Sequence, residues 1–295
     1  MPNPEMMEKI ENGAGFIAAL DQSGGSTPKA LAGYGIGEDA FSNDDEMFGL
    51  IHQMRSRIIT APSFGNGKVV GAILFEKTMN GEADGKPVPT LLWERGVVPF
   101  LKVDKGLADE ENGVQLMKPI PDLDDQCQKA VAKGMFGTKM RSVINKANVA
   151  GIAANVAQQF EFGKQILGHG LVPMIEPEVN IKSDERADCD QILLGELLKQ
   201  LDALSDDQRV MLKLSIPVEA NLYAPLINHP KVIRLVALSG GYSTDDACEQ
   251  LAKNSGMIAS FSRGLLQDLR HGQSDEEFDS VLGGAIDQIC QASIA

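Results

Sequence analysis

Eight short apolar runs recur along the 295-residue chain, and each is followed by a polar or glycine-rich stretch and then by a segment with helical spacing. Short runs that are rich in branched residues and bounded by turn-forming residues are typical of buried parallel strands. Strands that alternate with helices predict an α/β fold, because parallel neighbours are usually joined by a helix. The eight runs cover residues 15–20, 69–75, 97–101, 135–139, 171–175, 210–213, 232–237 and 256–261.

No linker or low-complexity stretch divides the chain. Eight strand–helix units in one chain of this length predict a single domain, residues 1–295, folded as one (β/α)8 TIM barrel, which typically needs about 250 residues. A doubly wound parallel sheet is the alternative that the pattern leaves open. Helix signals support the alternation: Asn43 precedes an acidic first turn, Ser274 and Glu277 form a capping-box pattern, and residues 192–204 have apolar side chains at helical spacing.

The chain is acidic, since 27 Lys and Arg against 41 Asp and Glu give a net charge of −14. Such a charge repels phosphate polymers and anionic bilayers, so we expect no nucleic acid and no membrane as partners.

The start of the chain lacks the pattern of a signal peptide, and no apolar run approaches the roughly 18 residues of a membrane span. Four widely spaced cysteines form no CxxC pair, which indicates reduced thiols. We therefore expect a soluble cytoplasmic protein that forms homo-oligomers. If the substrate of this acidic chain is an anion, we expect Lys and Arg side chains to cluster at the substrate site.

Polar side chains lie at the carboxyl ends of all eight predicted strands. In a TIM barrel these ends form the active-site face, whereas a purely structural barrel would not need charge there. Three of the ends carry charged pairs at i and i+2, which is the spacing of one strand face, so we expect one polar cluster. In chain order the groups are Asp21; Glu76; Lys102 and Asp104; Lys139 and Arg141; Glu176 and Glu178; Lys213; Ser239; and Arg263.

Lys213 lies between two leucines, and apolar surroundings favour the neutral amine that acts as a nucleophile. At an ordinary lysine pKa near 10.4, only about 0.04% of the amine would be neutral at pH 7. We expect the charges of Lys139 and Lys102 on other strands to favour the neutral form further. The alternative is a lysine that extends its charged end to the surface.

Glu176 and Glu178 flank Pro177, so both point to the same face of a strand. Two converging carboxylates suit acid–base chemistry, because each disfavours ionisation of the other. A structural role in ion pairs is equally compatible with this pattern.

Two glycine-rich turns resemble phosphate cradles, in which backbone N–H groups surround an anion and hydroxyl groups assist. The first covers residues 21–26, and the second, residues 238–241, lies where this fold often binds phosphate. Together with Arg263 and Lys102 they indicate an elongated substrate that carries two phosphates. Either turn taken alone is also compatible with a plain chain reversal.

A metal site has little support in the sequence. The four histidines form no close pair, none follows a predicted strand, and no HExxH or Cys/His cluster occurs. A carboxylate-bound Mg²⁺ is the metal site that stays open. The sequence also lacks a Walker A motif and a GxGxxG after a strand, so we expect neither a metal nor a cofactor.

Seven ordered motifs are spread over essentially the whole chain, at residues 18–26, 100–106, 137–141, 172–178, 211–214, 238–241 and 259–263. In these motifs the sequence resembles class I fructose-bisphosphate aldolases, most closely the compact bacterial form. The resemblance implies reversible cleavage of fructose 1,6-bisphosphate to dihydroxyacetone phosphate and glyceraldehyde 3-phosphate, in glycolysis and gluconeogenesis. It also implies a covalent Schiff base on a lysine, with neither metal nor cofactor.

Matched by motif, the resemblance implies that Lys213 forms the Schiff base and that Glu176 exchanges protons as the carbinolamine forms and loses water. Glu178 and Lys139 would support Glu176, and Asp21 would handle the hydroxyl protons beside the bond that breaks. The resemblance further implies one phosphate site that is formed by Ser239, Gly240, Gly241 and Arg263. It implies a second phosphate site that is formed by Ser23, Ser26 and Lys102. Arg141 would contact the substrate between the two sites.

Three features depart from the animal members of the family. Gln22 stands where their first motif has a glutamate, and Gly264 follows Arg263, whereas their glycine precedes the arginine. Their C-terminal tyrosine has no counterpart, since the last tyrosine here is Tyr242. These departures concern the proton that the enamine takes up and the backbone contact beside Arg263.

Two other functions stay open. One is a different Schiff-base TIM-barrel aldolase that acts on a related sugar with a single phosphate, which would not need both glycine-rich turns. The other is a non-catalytic binding or scaffold role, which would tolerate the loss of Lys213 and Glu176.

Overall fold

Residues 2–295 are described by a computed structural model, in which strands and helices alternate along the chain. The helices are α1 Pro4–Asn12, α2 Ser26–Tyr34, α3 Asp44–Thr60, α4 Glu76–Asn80, α5 Val88–Glu94, α6 Leu123–Ala132, α7 Val149–Gly168, α8 Arg186–Asp202, α9 Ala224–Ile227, α10 Thr244–Leu251, α11 Arg263–Leu266 and α12 Asp275–Ser293. The strands are β1 Phe16–Leu20, β2 Val69–Leu74, β3 Glu82–Ala83, β4 Lys86–Pro87, β5 Val98–Lys102, β6 Val114–Gln115, β7 Gly137–Ile144, β8 Val172–Val179, β9 Val210–Ser215, β10 Val232–Leu238 and β11 Ile258–Ala259.

Eight of these strands form the barrel, in the order β1, β2, β5, β7, β8, β9, β10 and β11. Every neighbouring pair in this order is parallel. The circle closes where the Ala19 N–H donates to the main-chain oxygen of Phe261 at 3.3 Å, which joins β1 to the segment after β11. The predicted (β/α)8 TIM barrel is therefore confirmed, and an open doubly wound sheet is excluded.

Helix α1 covers the amino-terminal end of the barrel. Its side chains Met6 and Ile10 pack with the apolar side chains inside the barrel. The side chain of Arg234, near the start of β10, donates to the main-chain oxygen of Glu11 at 2.6 Å and fixes the end of the helix. Because parallel strands all begin at the same end, the opposite end, where the strands finish, is left open for a site.

Two strands are longer than the apolar runs predict. β7 continues to Ile144 and β8 to Val179, so Arg141 and Glu176 lie within paired strands rather than after them. Arg141 stands opposite Glu176 in the register of β7 and β8. Oppositely charged side chains pair across these two strands, and the ladder continues beyond the ends of the two predicted apolar runs.

The predicted helix starts are confirmed at Asn43, whose side chain caps α3, and at the capping box of Ser274 and Glu277 before α12. The helix predicted over residues 192–204 begins earlier, at Arg186, because its polar first turns carry no apolar periodicity. The four cysteines are buried and free. None of the helices formed by residues 2–295 has both the length and the apolar character needed to cross a membrane.

Candidate active site

Four charged side chains form a buried chain of contacts at the mouth of the barrel. Lys213 Nζ on β9 lies 3.2 Å from Glu176 Oε1 on β8. The other carboxylate oxygen of Glu176 lies 2.9 Å from Lys139 Nζ on β7. Lys139 Nζ also contacts Asp21 Oδ2, just after β1, at 2.7 Å. The most exposed of the four side chains is Asp21, at 9%, so all of them are shielded from solvent.

The strand period of two explains why these side chains meet. Met174 on β8 and Met211 on β9 lie inside the barrel. The residues two positions further along, Glu176 and Lys213, therefore face the same interior, one layer nearer the mouth. Parallel strands finish at the same end, so such layers collect polar groups from strands that are far apart in sequence.

Electrostatic interactions favour the charged forms of Asp21 and Lys139. Burial alone would raise the pKa of Asp21, but the charges of Lys139 and Lys213 outweigh it and hold that pKa below its ordinary value of 3.8. Burial would lower the pKa of Lys139, yet the carboxylates of Asp21 and Glu176 raise it above its ordinary value of 10.5. In the free protein Asp21 is therefore an anion and Lys139 a cation.

The direct neighbour of Lys213 is a carboxylate. Of the two cations that the sequence predicts beside it, Lys139 shares Glu176 with Lys213, whereas Lys102 Nζ contacts Asp104 Oδ1 at 2.8 Å. A carboxylate at this distance can accept the proton that an ammonium group must lose before it acts as a nucleophile.

Glu178 and Arg141 form a second ion pair, nearer the solvent. The Arg141 Nε–H donates to Glu178 Oε2. Burial would lower the pKa of Arg141, but the charge of Glu178 raises it. Glu176 and Glu178 thus have different partners: Glu176 contacts two lysines, and Glu178 is held by one arginine.

A cavity of about 740 Å³ opens beside these groups and is lined by the first glycine-rich turn. Ser23 and Ser26 line it, together with Lys102, Lys139 and Arg141. The Ser26 hydroxyl donates to the main-chain oxygen of Ser23 at 2.9 Å and closes the turn where α2 begins. The groups that the resemblance implies for one phosphate, and for the contact between the phosphates, therefore border one space.

The second glycine-rich turn follows β10 and requires its glycines. Gly240 and Gly241 have φ angles of +61° and +120°, which side chains rarely permit. A Cβ at Gly240 would lie 2.6 Å from Ile181 Cγ2. A Cβ at Gly241 would lie 3.3 Å from Arg263 Nη2, so the guanidinium group stands over the turn. Ser239, which begins the turn, is buried, and the four residues implied for this phosphate lie together.

Arg55 is a buried group that none of the motifs contains. It is 0% exposed in the middle of α3, and its Nη1–H donates to Thr78 Oγ1 at 2.8 Å. Its Nη2–H groups donate to the main-chain oxygen and to the side-chain oxygen of Gln22, beside Asp21. The signal that could have found it is its place next to Met54 on the apolar face of a predicted helix, since arginine is seldom buried without partners.

Ser260 is a second polar residue that the sequence analysis did not single out. It follows β11, two positions after Ile258, which lies inside the barrel, so its side chain faces the mouth. Its hydroxyl is buried and has no hydrogen-bond partner among the described residues.

The charges of the buried chain balance one another, since two lysines face two carboxylates. Within residues 2–295, no group of three or more His, Cys, Asp or Glu side chains is arranged to hold a metal ion. The arrangement can supply an amine, a carboxylate that exchanges protons with it, and a second carboxylate beside a fixed cation.

A closed barrel with a buried lysine and carboxylates at the open end of its strands defines a TIM-barrel enzyme with an amine as its candidate nucleophile. A family model described as fructose-bisphosphate aldolase class I matches residues 5–222. The chain belongs to this family of lyases, which confirms the resemblance found in its sequence.

Solved structures share the barrel. The fructose-bisphosphate aldolase from Plasmodium falciparum, in a ternary complex with TRAP and a small-molecule inhibitor, has a TM-score of 0.76 and 19% identity, over 98% of this chain and 92% of that chain. Cgl0159 from Corynebacterium glutamicum has a TM-score of 0.56 and 14% identity, with the same two coverages. At these identities the likeness establishes the fold alone.

Proposed function

We propose that this chain is a metal-independent aldolase that cleaves fructose 1,6-bisphosphate reversibly to dihydroxyacetone phosphate and glyceraldehyde 3-phosphate, in glycolysis and gluconeogenesis. The reaction proceeds through a Schiff base on Lys213 and needs no cofactor. The observation that carries this proposal is the buried Lys213 Nζ, 3.2 Å from Glu176 Oε1, at the mouth of a barrel of this family.

The first stage joins Lys213 to the ketose. Glu176 takes a proton from the ammonium group, and the neutral amine adds to the C2 carbonyl carbon to form a carbinolamine. Glu176 then returns the proton to the carbinolamine hydroxyl, which leaves as water. Lys139, 2.9 Å from Glu176, stabilises the Glu176 carboxylate before the first transfer and after the second. The product is a protonated iminium, which withdraws electrons from the neighbouring carbon–carbon bond.

The second stage breaks the bond between C3 and C4. The Asp21 carboxylate accepts the proton of the C4 hydroxyl, the aldehyde product leaves, and the electron pair of the bond passes to the iminium to form an enamine. The charge of Lys139, 2.7 Å from Asp21, stabilises the oxygen on which negative charge develops. The enamine then takes up a proton at C3, and Asp21 gives up the proton that it accepted. Water finally hydrolyses the iminium to release dihydroxyacetone phosphate and Lys213.

Two separate groups of residues support a substrate with phosphates at both ends. The cavity-lining residues suit one phosphate, the turn under Arg263 suits the other, and Arg141 suits the sugar between them. The residues proposed for the two phosphates are Ser23, Ser26 and Lys102; and Ser239, Gly240, Gly241 and Arg263.

Borohydride trapping tests the proposal. In the presence of fructose 1,6-bisphosphate, borohydride should reduce the iminium to a stable secondary amine, and peptide mass analysis should find it on Lys213. Triose phosphates should form at a rate that EDTA leaves unchanged. A single-phosphate aldolase would instead turn over and trap fructose 1-phosphate in preference, and a scaffold would give neither adduct nor turnover. An adduct on another lysine, or activity abolished by EDTA, would contradict the mechanism.

Replacement of Gly240 by alanine should weaken substrate binding without unfolding the barrel. The new Cβ would meet Ile181 at 2.6 Å in a backbone conformation that costs an L-residue energy, so the turn must move away from the phosphate. We expect KM for fructose 1,6-bisphosphate to rise about tenfold, with a smaller change in kcat. Gly272→Ala, where an added Cβ has open space, is the matched control. Equal KM values for the two variants would show that the turn does not bind substrate.

A further inference from the structure

The side chain of Gln22 connects the two segments to which we assign the phosphates. Its Nε2–H group donates to Ser262 Oγ at 2.5 Å and to the main-chain oxygen of Ala19 at 3.2 Å. Gln22 belongs to the first glycine-rich turn, and Ser262 directly precedes Arg263. One amide group therefore spans from the first turn to the arginine that stands over the second.

The guanidinium group of the buried Arg55 holds the Gln22 side chain in place. Its guanidinium group donates to both oxygens of Gln22 and to the buried Thr78 hydroxyl of α4, and no carboxylate forms an ion pair with it among residues 2–295. Burial lowers the pKa of Arg55 to about 10, against the opposing charge of Asp21, so the group stays cationic at neutral pH. A buried cation held only by neutral oxygens binds them strongly, because charged donors form stronger hydrogen bonds.

An amide suits this place because it both accepts and donates. The Gln22 Oε1 atom accepts from Arg55, and its Nε2 group is then free to donate to Ser262. The bridge thus runs from the interior of α3, through the first turn, to the segment after β11. Its Arg55 end lies within a regular helix, α3, which makes the bridge suited to holding two loops at a set separation.

We propose that Gln22, held by Arg55, is a positioning residue that sets the separation of the two phosphate-binding segments and so favours substrates with a phosphate at each end. This inference rests on the proposed function. When one phosphate is bound, the second binds as an intramolecular group, and its advantage depends on how well the spacing of the two sites matches the substrate. A loose bridge therefore reduces the binding of bisphosphates and leaves the binding of monophosphates nearly unchanged.

The test compares Gln22→Met with a matched control, Gln158→Met. Gln158 is half-buried and also forms two side-chain hydrogen bonds, at 2.9 and 3.0 Å, but both go to Met117, in the segment between β6 and α6. In Gln22→Met, kcat/KM for fructose 1,6-bisphosphate should fall at least about tenfold, and that for fructose 1-phosphate less than about threefold. The dissociation constant of hexitol 1,6-bisphosphate, which has no carbonyl to react, should rise about tenfold.

Arg55→Lys is the second variant, since it keeps the charge but cannot hold Gln22 and Thr78 together. It should shift the ratio of the two kcat/KM values in the same direction. The positioning role would be overturned if Gln22→Met left the ratio of kcat/KM for fructose 1,6-bisphosphate to kcat/KM for fructose 1-phosphate unchanged. Unchanged binding of hexitol 1,6-bisphosphate would overturn it as well. If the wild-type protein cleaved neither sugar, or showed no preference for the bisphosphate, the proposed function would be wrong instead. The dissociation constant of hexitol 1,6-bisphosphate would still decide whether Gln22 sets the distance between two anion sites.

Discussion

Replacement of Lys213 by methionine should abolish aldol cleavage, with turnover falling at least about 10⁵-fold, because the side chain then has no amine to form the iminium. The barrel should stay folded. Methionine has a similar length and suits the apolar strand around it, where Leu212 and Leu214 are buried. Glu176 also keeps its contact with Lys139, so the substitution leaves no carboxylate without a cation.

Three measurements separate a chemical loss from a structural one. Turnover and the borohydride adduct should both vanish in Lys213→Met, while the circular dichroism spectrum stays that of the wild type. Lys253→Met is the control, since the exposed Lys253 side chain contacts only the neighbouring Glu249, with which it forms an ion pair, and Gln250. Such pairs contribute about 0.3–0.5 kcal/mol, so the control should keep its activity. If Lys213→Met retained more than about 1% of turnover, the amine would not be the nucleophile.

Much of the fold could be predicted from the sequence because the barrel strands are buried on both faces. Every residue of β2 is buried, for example, and its sequence is an unbroken apolar run. The charged residues of the site could be predicted for the same reason. Lys213 and Glu176 interrupt apolar strands two positions after interior residues, where a charge has no structural purpose unless it meets another charge.

Contacts between distant segments could not be predicted in this way. Gln22 bonds to Arg55, 33 residues away, and to Ser262, 240 residues away, and no local pattern specifies either partner. The predicted ends of the fourth and fifth strands, at residues 139 and 175, were wrong for a related reason. Apolar periodicity ends where the charged residues begin, but pairing across the two strands carries the ladder on to Ile144 and Val179.

Replacement of Lys139 by methionine should destabilise the protein more than any change at Lys213. Lys139 contacts both Asp21 and Glu176, and without it Lys213 is the one lysine of the buried chain left to balance two carboxylates. Removing one partner from a buried ion pair typically costs about 3–5 kcal/mol of unfolding free energy, because the remaining charge stays desolvated. Turnover should also fall at least about 10³-fold, since the cation that stabilises developing charge is lost.

The contribution of Asp21 to the free energy of unfolding should depend on pH with opposite signs in Lys139→Met and in the wild type. In the wild type the pKa of Asp21 lies below 3.8, so its stabilising contribution is complete above that pH and is lost as the pH falls towards the lowered value. In the variant, burial of Asp21 is opposed only by the more distant charges of Lys213 and Lys102, so the pKa of Asp21 should rise above its ordinary value. A carboxyl group whose pKa is raised by folding destabilises the folded state when it is ionised. This destabilisation is complete above the raised pKa and disappears as the pH falls to the ordinary value.

Urea unfolding of Lys139→Met should therefore show a deficit relative to wild type that shrinks as the pH is lowered from about 8 to about 5. Adding Asp21→Asn removes one of the carboxylates. The double variant should recover part of the lost free energy at the higher pH and lose most of the pH dependence. A deficit that stays constant over this range in both variants would mean that Lys139 stabilises the barrel by packing alone, and that the alternating charges at its mouth do not depend on one another.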